Sequence, residues 1–163
     1  MRTARGFSLI ELVTVLVLIG ALAVFAVPRL NTSGFAGYSF HEELLAAVRH
    51  AQKTATASRC EIEVAVNASS GYTVEYTGYV PPGQASECPS ARTPVPAPGR
   101  SGALKRSPPS GVQITSGATF AFDEFGVLCD NAPDCDKRTS RVAIEINGRR
   151  DVIVEAFTGY VHD

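Results

Sequence analysis

The chain opens on one apolar block and then changes period twice. From Phe7 to Val27 only Ser8, Glu11, Thr14 and Gly20 interrupt a run of aliphatic and aromatic residues. At 1.5 Å per residue this segment makes roughly 31 Å of helix, about the thickness of a hydrocarbon core. Pro28, Gly34 and Gly37 follow closely, which predicts a kink or break over 28–38. Ser39-Phe40-His41-Glu42 then reads as a capping box that restarts a helix. Phe40, Leu44, Leu45, Val48, Ala51 and Ala55 form one stripe at helical spacing, ending near Ser58. Arg49, Gln52, Lys53 and Arg59 fall off that stripe, so its apolar side is expected to pack on a sheet.

From Cys60 the period becomes two. Cys60 to Val66 and Tyr72 to Tyr76 alternate, and Asn67-Ala68-Ser69-Ser70-Gly71 between them reads as a hairpin turn. Residues 81–111 hold eight of the ten prolines, which predicts a long surface excursion, partly disordered. Regular pattern resumes at Thr119–Phe122, with Gly126-Val127-Leu128 after a turn. Two more strands, Arg141–Ile146 and Asp151–Glu155, are joined by a tight Asn147-Gly148 hairpin, and Tyr160-Val161 closes the pattern. The expected class is α+β: a long N-terminal hydrophobic helix packed on a small antiparallel β-sheet domain.

The charge inside the apolar block changes the picture. Fourteen residues of Phe7–Val27 are Leu, Ile, Val or Phe; on an insertion scale they favour the bilayer by about 4–8 kcal/mol in total. A carboxylate at mid-span costs roughly 3 kcal/mol, less nearer the end, so the segment still inserts despite Glu11. An intramembrane acid is kept mainly where a partner awaits it. Arg2 and Arg5 precede the run, placing the short N-terminus in the cytoplasm and the bulk of the chain outside. A secretory signal peptide fits poorly, since no A-x-A site ends the run. A plain single-pass anchor gives no reason for Glu11.

Arg5-Gly6-Phe7-Ser8-Leu9-Ile10-Glu11-Leu12 resembles the processing signal of type IV pilins and type II secretion pseudopilins. The resemblance implies a leader over 1–6, cut after Gly6 by a prepilin peptidase, and N-methylation of Phe7. It implies a membrane and filament-core helix over 7–30, with Pro28 where many such helices carry a proline. A pilin-like globular domain would cover 31–163, with its helix at about 39–58. Glu11 would pair with the Phe7 amine of a neighbouring subunit. Such a pair relieves an otherwise costly charge at one axial offset only, and so sets register. The implied partners are the prepilin peptidase, other pilin or pseudopilin subunits and the inner membrane. The implied location is the inner membrane with a periplasmic domain, then a pilus or pseudopilus.

Phe120-Ala121-Phe122-Asp123-Glu124-Phe125-Gly126 and the Thr158-Gly159 close look like the GspH/FimT pilin-like domain, as do Leu45 and the alanines Ala47, Ala51 and Ala55. Residues 47–53 with Ser58-Arg59-Cys60 look closer to minor pilins of the MSHA type. DNA-binding relatives carry a basic G-R-x-R near the C-terminus, whereas here that end reads Gly159-Tyr160-Val161-His162. Gly148-Arg149-Arg150 offers two arginines at a turn, and the net charge is −1. A DNA-uptake minor pilin is therefore the alternative reading, and nucleic acid is not expected as a partner.

The remaining composition narrows the chemistry. Cys60, Cys88, Cys129 and Cys135 all lie beyond the apolar block, where disulfides are permitted. Three pairings are possible and sequence does not choose among them; the expectation adopted is Cys60–Cys88 with Cys129–Cys135. No C-x-x-C, P-loop or G-x-S-x-G occurs, and His41, His50 and His162 are scattered. No enzyme activity and no cofactor are expected. Asp130, Asp134 and Asp136 are weak calcium candidates: major pseudopilins bind that ion in a C-terminal loop, but the spacing is no EF-hand and a solvated turn is the simpler reading.

Overall fold

A computed structural model describes residues 7–26, 32–80, 88–99, 101–130, 135 and 140–163. Two helices lead: α1 (Leu9–Ala26) and α2 (Thr32–Ser58). Ten short strands follow: β1 (Ile62–Asn67), β2 (Gly71–Tyr76), β3 (Thr93–Pro94), β4 (Lys105–Arg106), β5 (Ile114–Ser116), β6 (Thr119–Phe122), β7 (Leu128–Cys129), β8 (Val142–Ile146), β9 (Val152–Val154) and β10 (Val161–His162). They form two antiparallel sheets, one ordered β3-β2-β1-β6-β7 with β4 also on β2, the other β10-β9-β8-β5. The α+β expectation holds.

The packing helix is α2. Its stripe Phe40, Leu44, Leu45, Val48, Ala51 and Ala55 is fully buried, as the spacing predicts, and Ala47 joins it. Helix α2 meets β1, β2 and β6 of one sheet and β9 and β10 of the other. Alanines at 47, 51 and 55 follow an i, i+4 row, so the backbone approaches the sheets closely. Polar side chains flank that face. Tyr72 donates to Glu43 Oε1 at 3.3 Å, and Arg106 pairs with the same carboxylate. Arg49 Nε donates to the Val161 carbonyl at 3.2 Å, fastening α2 to β10.

The capping-box expectation fails. Ser39 lies inside α2, which already starts at Thr32. Gly37 does not end the helix because it has a packing role. A Cβ there would stand 3.3 Å from the Arg149 guanidinium, which sits 6.0 Å from the centre of the Tyr38 ring. The missing side chain makes room for that cation–π contact, offsetting the roughly 1 kcal/mol a helical glycine costs. Pro28, in the expected break, lies outside the described residues.

The proline-rich excursion is also more ordered than expected. Residues 81–87 lie outside the described residues, but β3 and β4 both pair with β2, at Tyr76↔Thr93 and Tyr72↔Arg106. Between them Val95 donates to the Val74 carbonyl at 2.9 Å, and Leu104 to the Val95 carbonyl at 2.8 Å. Val95 and Leu104 are buried. Two apolar residues among the prolines are sufficient to seat the segment on an open sheet edge, which covers that edge.

Both expected disulfides are present, Cys60–Cys88 and Cys129–Cys135, closing separations of 28 and 6 residues. The larger loop ties the excursion to the corner between α2 and β1. Arg59 turns that corner with φ 54°, the left-handed conformation common just past a helix end.

Strict alternation from Cys60 places Glu61 on the outer face with Glu63. Instead Glu61 is 1% exposed, and neither carboxylate oxygen has a hydrogen-bond partner among the described residues. The strand proper begins one residue later, at Ile62. Glu61 is held at the corner by its backbone, whose carbonyl accepts from Thr77 N at 3.2 Å. Burial pushes its carboxyl from 4.5 up to about 7, and the Glu124, Glu63 and Asp123 charges add to the rise. The Thr77 side chain opposes the rise; its hydroxyl also donates, at 3.3 Å, to the Glu61 carbonyl.

Two outcomes follow. The folded state holds the Glu61 proton more tightly than the unfolded chain. Its contribution is therefore complete below about pH 4.5 and is lost as pH rises through about 7. Glu61→Gln should remove that loss, leaving the variant more stable than wild type at pH 8 by up to about 3 kcal/mol. Thermal unfolding at pH 5 and pH 8 checks this, and equal pH slopes for both proteins would contradict it. Removing Cys60–Cys88 should cost about 3–4 kcal/mol and removing Cys129–Cys135 about 2, from loop length alone. Denaturant titration of the two Cys→Ser pairs reads the difference, and the reverse order would refute the loop-length account.

Candidate functional site

The candidate site is the N-terminal segment, because among the described residues it is the longest apolar stretch that the fold leaves uncovered. Helix α1 begins at Leu9, and the Ser8 carbonyl takes its first bonds, accepting from Glu11 N at 3.0 Å and Leu12 N at 3.2 Å. The Thr14 hydroxyl donates back to the Glu11 carbonyl at 2.9 Å. Beyond that turn the residues are almost all aliphatic, and every described side chain from Phe7 to Leu22 is exposed. Phe7 is 78% exposed and Leu9 81%. The exposed apolar positions go round the helix, with no polar side. A helix apolar all round is stable only inside something else. The expected packing of this helix on the sheet domain is therefore corrected: α2 takes that place.

Glu11 is exposed and stands in the first turn of α1. Phe7 lies four positions earlier, outside the helix and just before Ser8. Gly6 lies outside the described residues, so its place relative to Phe7 rests on sequence alone.

Among the described residues no helix is long and apolar enough to cross a membrane. Regular helix covers Leu9–Ala26, 18 residues, or about 27 Å against a hydrocarbon core near 30 Å. The expected span begins two residues before the helix, at Phe7, and its last residue, Val27, lies outside the described residues.

The other sequence candidates are distributed as follows. Asp130 is exposed, while Asp134 and Asp136 lie outside the described residues. Asp123, Cys129 and Cys135 bring ligand-type atoms together, but both cysteines are spent in a disulfide and have no thiolate to offer. Arg149 is absorbed by Tyr38 and Gly37 rather than presented as a basic patch.

The Phe120-to-Gly126 motif has a clear geometry. Phe120 and Phe122 are buried edge to face, 5.7 Å apart. Asp123 turns the chain by accepting from Phe125 N at 2.9 Å and Val127 N at 2.7 Å. Gly126 has φ 77° and Gly159 has φ 62°, and a Cβ on Gly159 would sit 2.0 Å from the Gly126 carbonyl oxygen. Only glycine allows that contact. Gln52, off the apolar stripe and not singled out by sequence, clamps the pair: its Nε2 donates to Gly126 O at 3.1 Å and Thr158 O at 3.2 Å. The F-x-F-x-x-x-G turn and the Thr158-Gly159 close are thus two halves of one junction.

Residues 1–27 match the family model described as the prokaryotic N-terminal methylation motif, about a sixth of the chain. No curated protein and no solved structure matches the chain. The motif supports a type IV pilin-like, prepilin-processed protein, a structural subunit rather than an enzyme.

Proposed function

We propose that this chain is a minor pilin or pseudopilin. A prepilin peptidase cuts after Gly6 and Phe7 is N-methylated. The subunit waits in the inner membrane with its domain in the periplasm, then enters a type IV pilus or a type II secretion pseudopilus. The observation that carries this reading is the N-terminal methylation motif on a helix whose described side chains are all exposed and nearly all apolar. In sequence the apolar run continues to Val27, long enough for a bilayer. Leaving lipid must be offset by an equally apolar setting, which a bundle of like helices supplies.

Within that bundle Glu11 is the one acid of the block and pairs with the methylated amine of a neighbouring Phe7. An unpaired carboxylate among aliphatic helices is penalised, so subunits at the wrong axial offset are rejected. Pro28 marks the joint between the core helix and the domain. The domain's Phe120–Gly126 junction and the residues 47–53 favour the GspH/FimT branch, and within it an MSHA-like filament.

Processing tests the proposal directly. Co-expression with a prepilin peptidase should shorten the chain by Met1–Gly6 and add one methyl group, read by intact mass. Gly6→Val should leave the full-length mass. A mature protein that keeps Met1–Gly6 in the presence of active peptidase overturns the assignment.

A further inference from the structure

At the corner where α2 gives way to β1 the chain buries an acid without a mate. Both carboxylate oxygens of Glu61 are sealed and lack a hydrogen-bond partner among the described residues. Ile62 faces Tyr76 of β2 on one side and Phe122 of β6 on the other. Carried one residue back, that antiparallel register sets Glu61 between Thr77 and Asp123.

The charges felt there have one sign. Glu63 on β1, and Asp123 and Glu124 beyond β6, all repel a charge on Glu61. Glu63 is itself opposite Glu75 of β2. Asp123 commits Oδ1 to two backbone amides, a satisfaction that Glu61 lacks. Arg59 at the helix end and Arg92 on the segment returning to β2 are both exposed and give the Glu61 oxygens no hydrogen bond.

A strap lies over this corner. The Glu61 carbonyl holds Thr77 through its amide and its hydroxyl, at 3.2 and 3.3 Å. Gly78 follows with φ 79°, and a Cβ on it would stand 2.6 Å from Ala91 N, so the returning segment lies hard against the end of β2. Arg92 N donates to the Tyr76 carbonyl at 2.8 Å, and Cys60–Cys88 ties the same segment beside Glu61. From Ile62 onward β1 is held by a ladder on each side. The Thr77 side is therefore where the corner can give. An ionised carboxylate needs water, and closed packing denies it.

We propose that Glu61 is a proton-operated latch: protonated, it stays beneath the Thr77 end of β2, and on losing its proton it turns out to water and loosens Thr77 and the returning segment. The disulfide limits the travel and keeps the loosened segment tethered. What comes free is the β2 edge that β3 covers, the kind of edge that accepts another strand. The closed corner holds the proton more tightly, its carboxyl raised from 4.5 to about 7. Closure is thus complete below about pH 4.5 and weakens as pH rises through about 7. From pH 5.5 to pH 8 the opening equilibrium should grow about 25-fold.

Hydrogen exchange at single amides of the full chain in detergent, corrected for the intrinsic pH dependence of exchange, separates this local event from whole-chain unfolding. The Thr77 and Arg92 amides should lose protection about 25-fold between the two pH values. The β8–β9 ladder, where Val142 pairs with Val154, should change by less than about threefold. Glu61→Gln and Glu61→Met cannot ionise and should keep the corner closed at both pH values. Unchanged protection of Thr77 and Arg92 in wild type, a loss shared equally by β8–β9, or the same loss in both variants would each overturn the latch.

Discussion

An apolar helix without a cover of its own is the constraint on which the rest depends. From Phe7 to Leu22 every described side chain, just before and within α1, is open to solvent, and nearly all are aliphatic or aromatic. Each buried methylene is worth about 0.8 kcal/mol, so water is the wrong surrounding for this segment. Lipid or other helices must take its place. Glu11 sharpens the demand, because either surrounding that suits the aliphatic residues is hostile to a lone carboxylate. A partner that is apolar along its length and cationic at one level satisfies both.

The domain makes no such demand. Its core is filled by α2, whose small and large apolar residues alternate along one face, and by the inner faces of two sheets. The polar ties from α2 run outward to several elements: Glu43 to β2 and β4, Arg49 to β10, Gln52 to the two glycine turns. Helix α2 is thus clamped at several points along its length. Among the described residues the domain buries a core of its own, while α1 is left without cover.

Much of this was legible in the residues. The α2 stripe, the Asn67–Gly71 and Asn147-Gly148 turns and the strand alternation are local patterns, and the local pattern decides them. What the sequence hid was set by contacts distant along the chain. Ser39 reads as a cap, but Arg149, more than a hundred residues later, stabilises the turns before it. Val95 and Leu104 look lost among prolines until β2 offers an edge. Glu61 alternates correctly on paper, yet the corner between helix and strand turns it inward. Gln52 reads in the sequence only as a polar residue off the stripe, within the 47–53 stretch; the meeting of Gly126 and Gly159 shows its use. In the N-terminal segment the reverse holds. The sequence speaks plainly, and an isolated chain leaves the helix bare.

The most direct test of the central claim is incorporation of Glu11→Ala into sheared filaments, measured beside wild type in cells with active prepilin peptidase. The account predicts a variant that is cleaved normally but largely missing from the filament fraction. Incorporation equal to wild type would mean that the acid has no mate on the adjoining subunit, and that α1 is only a tether.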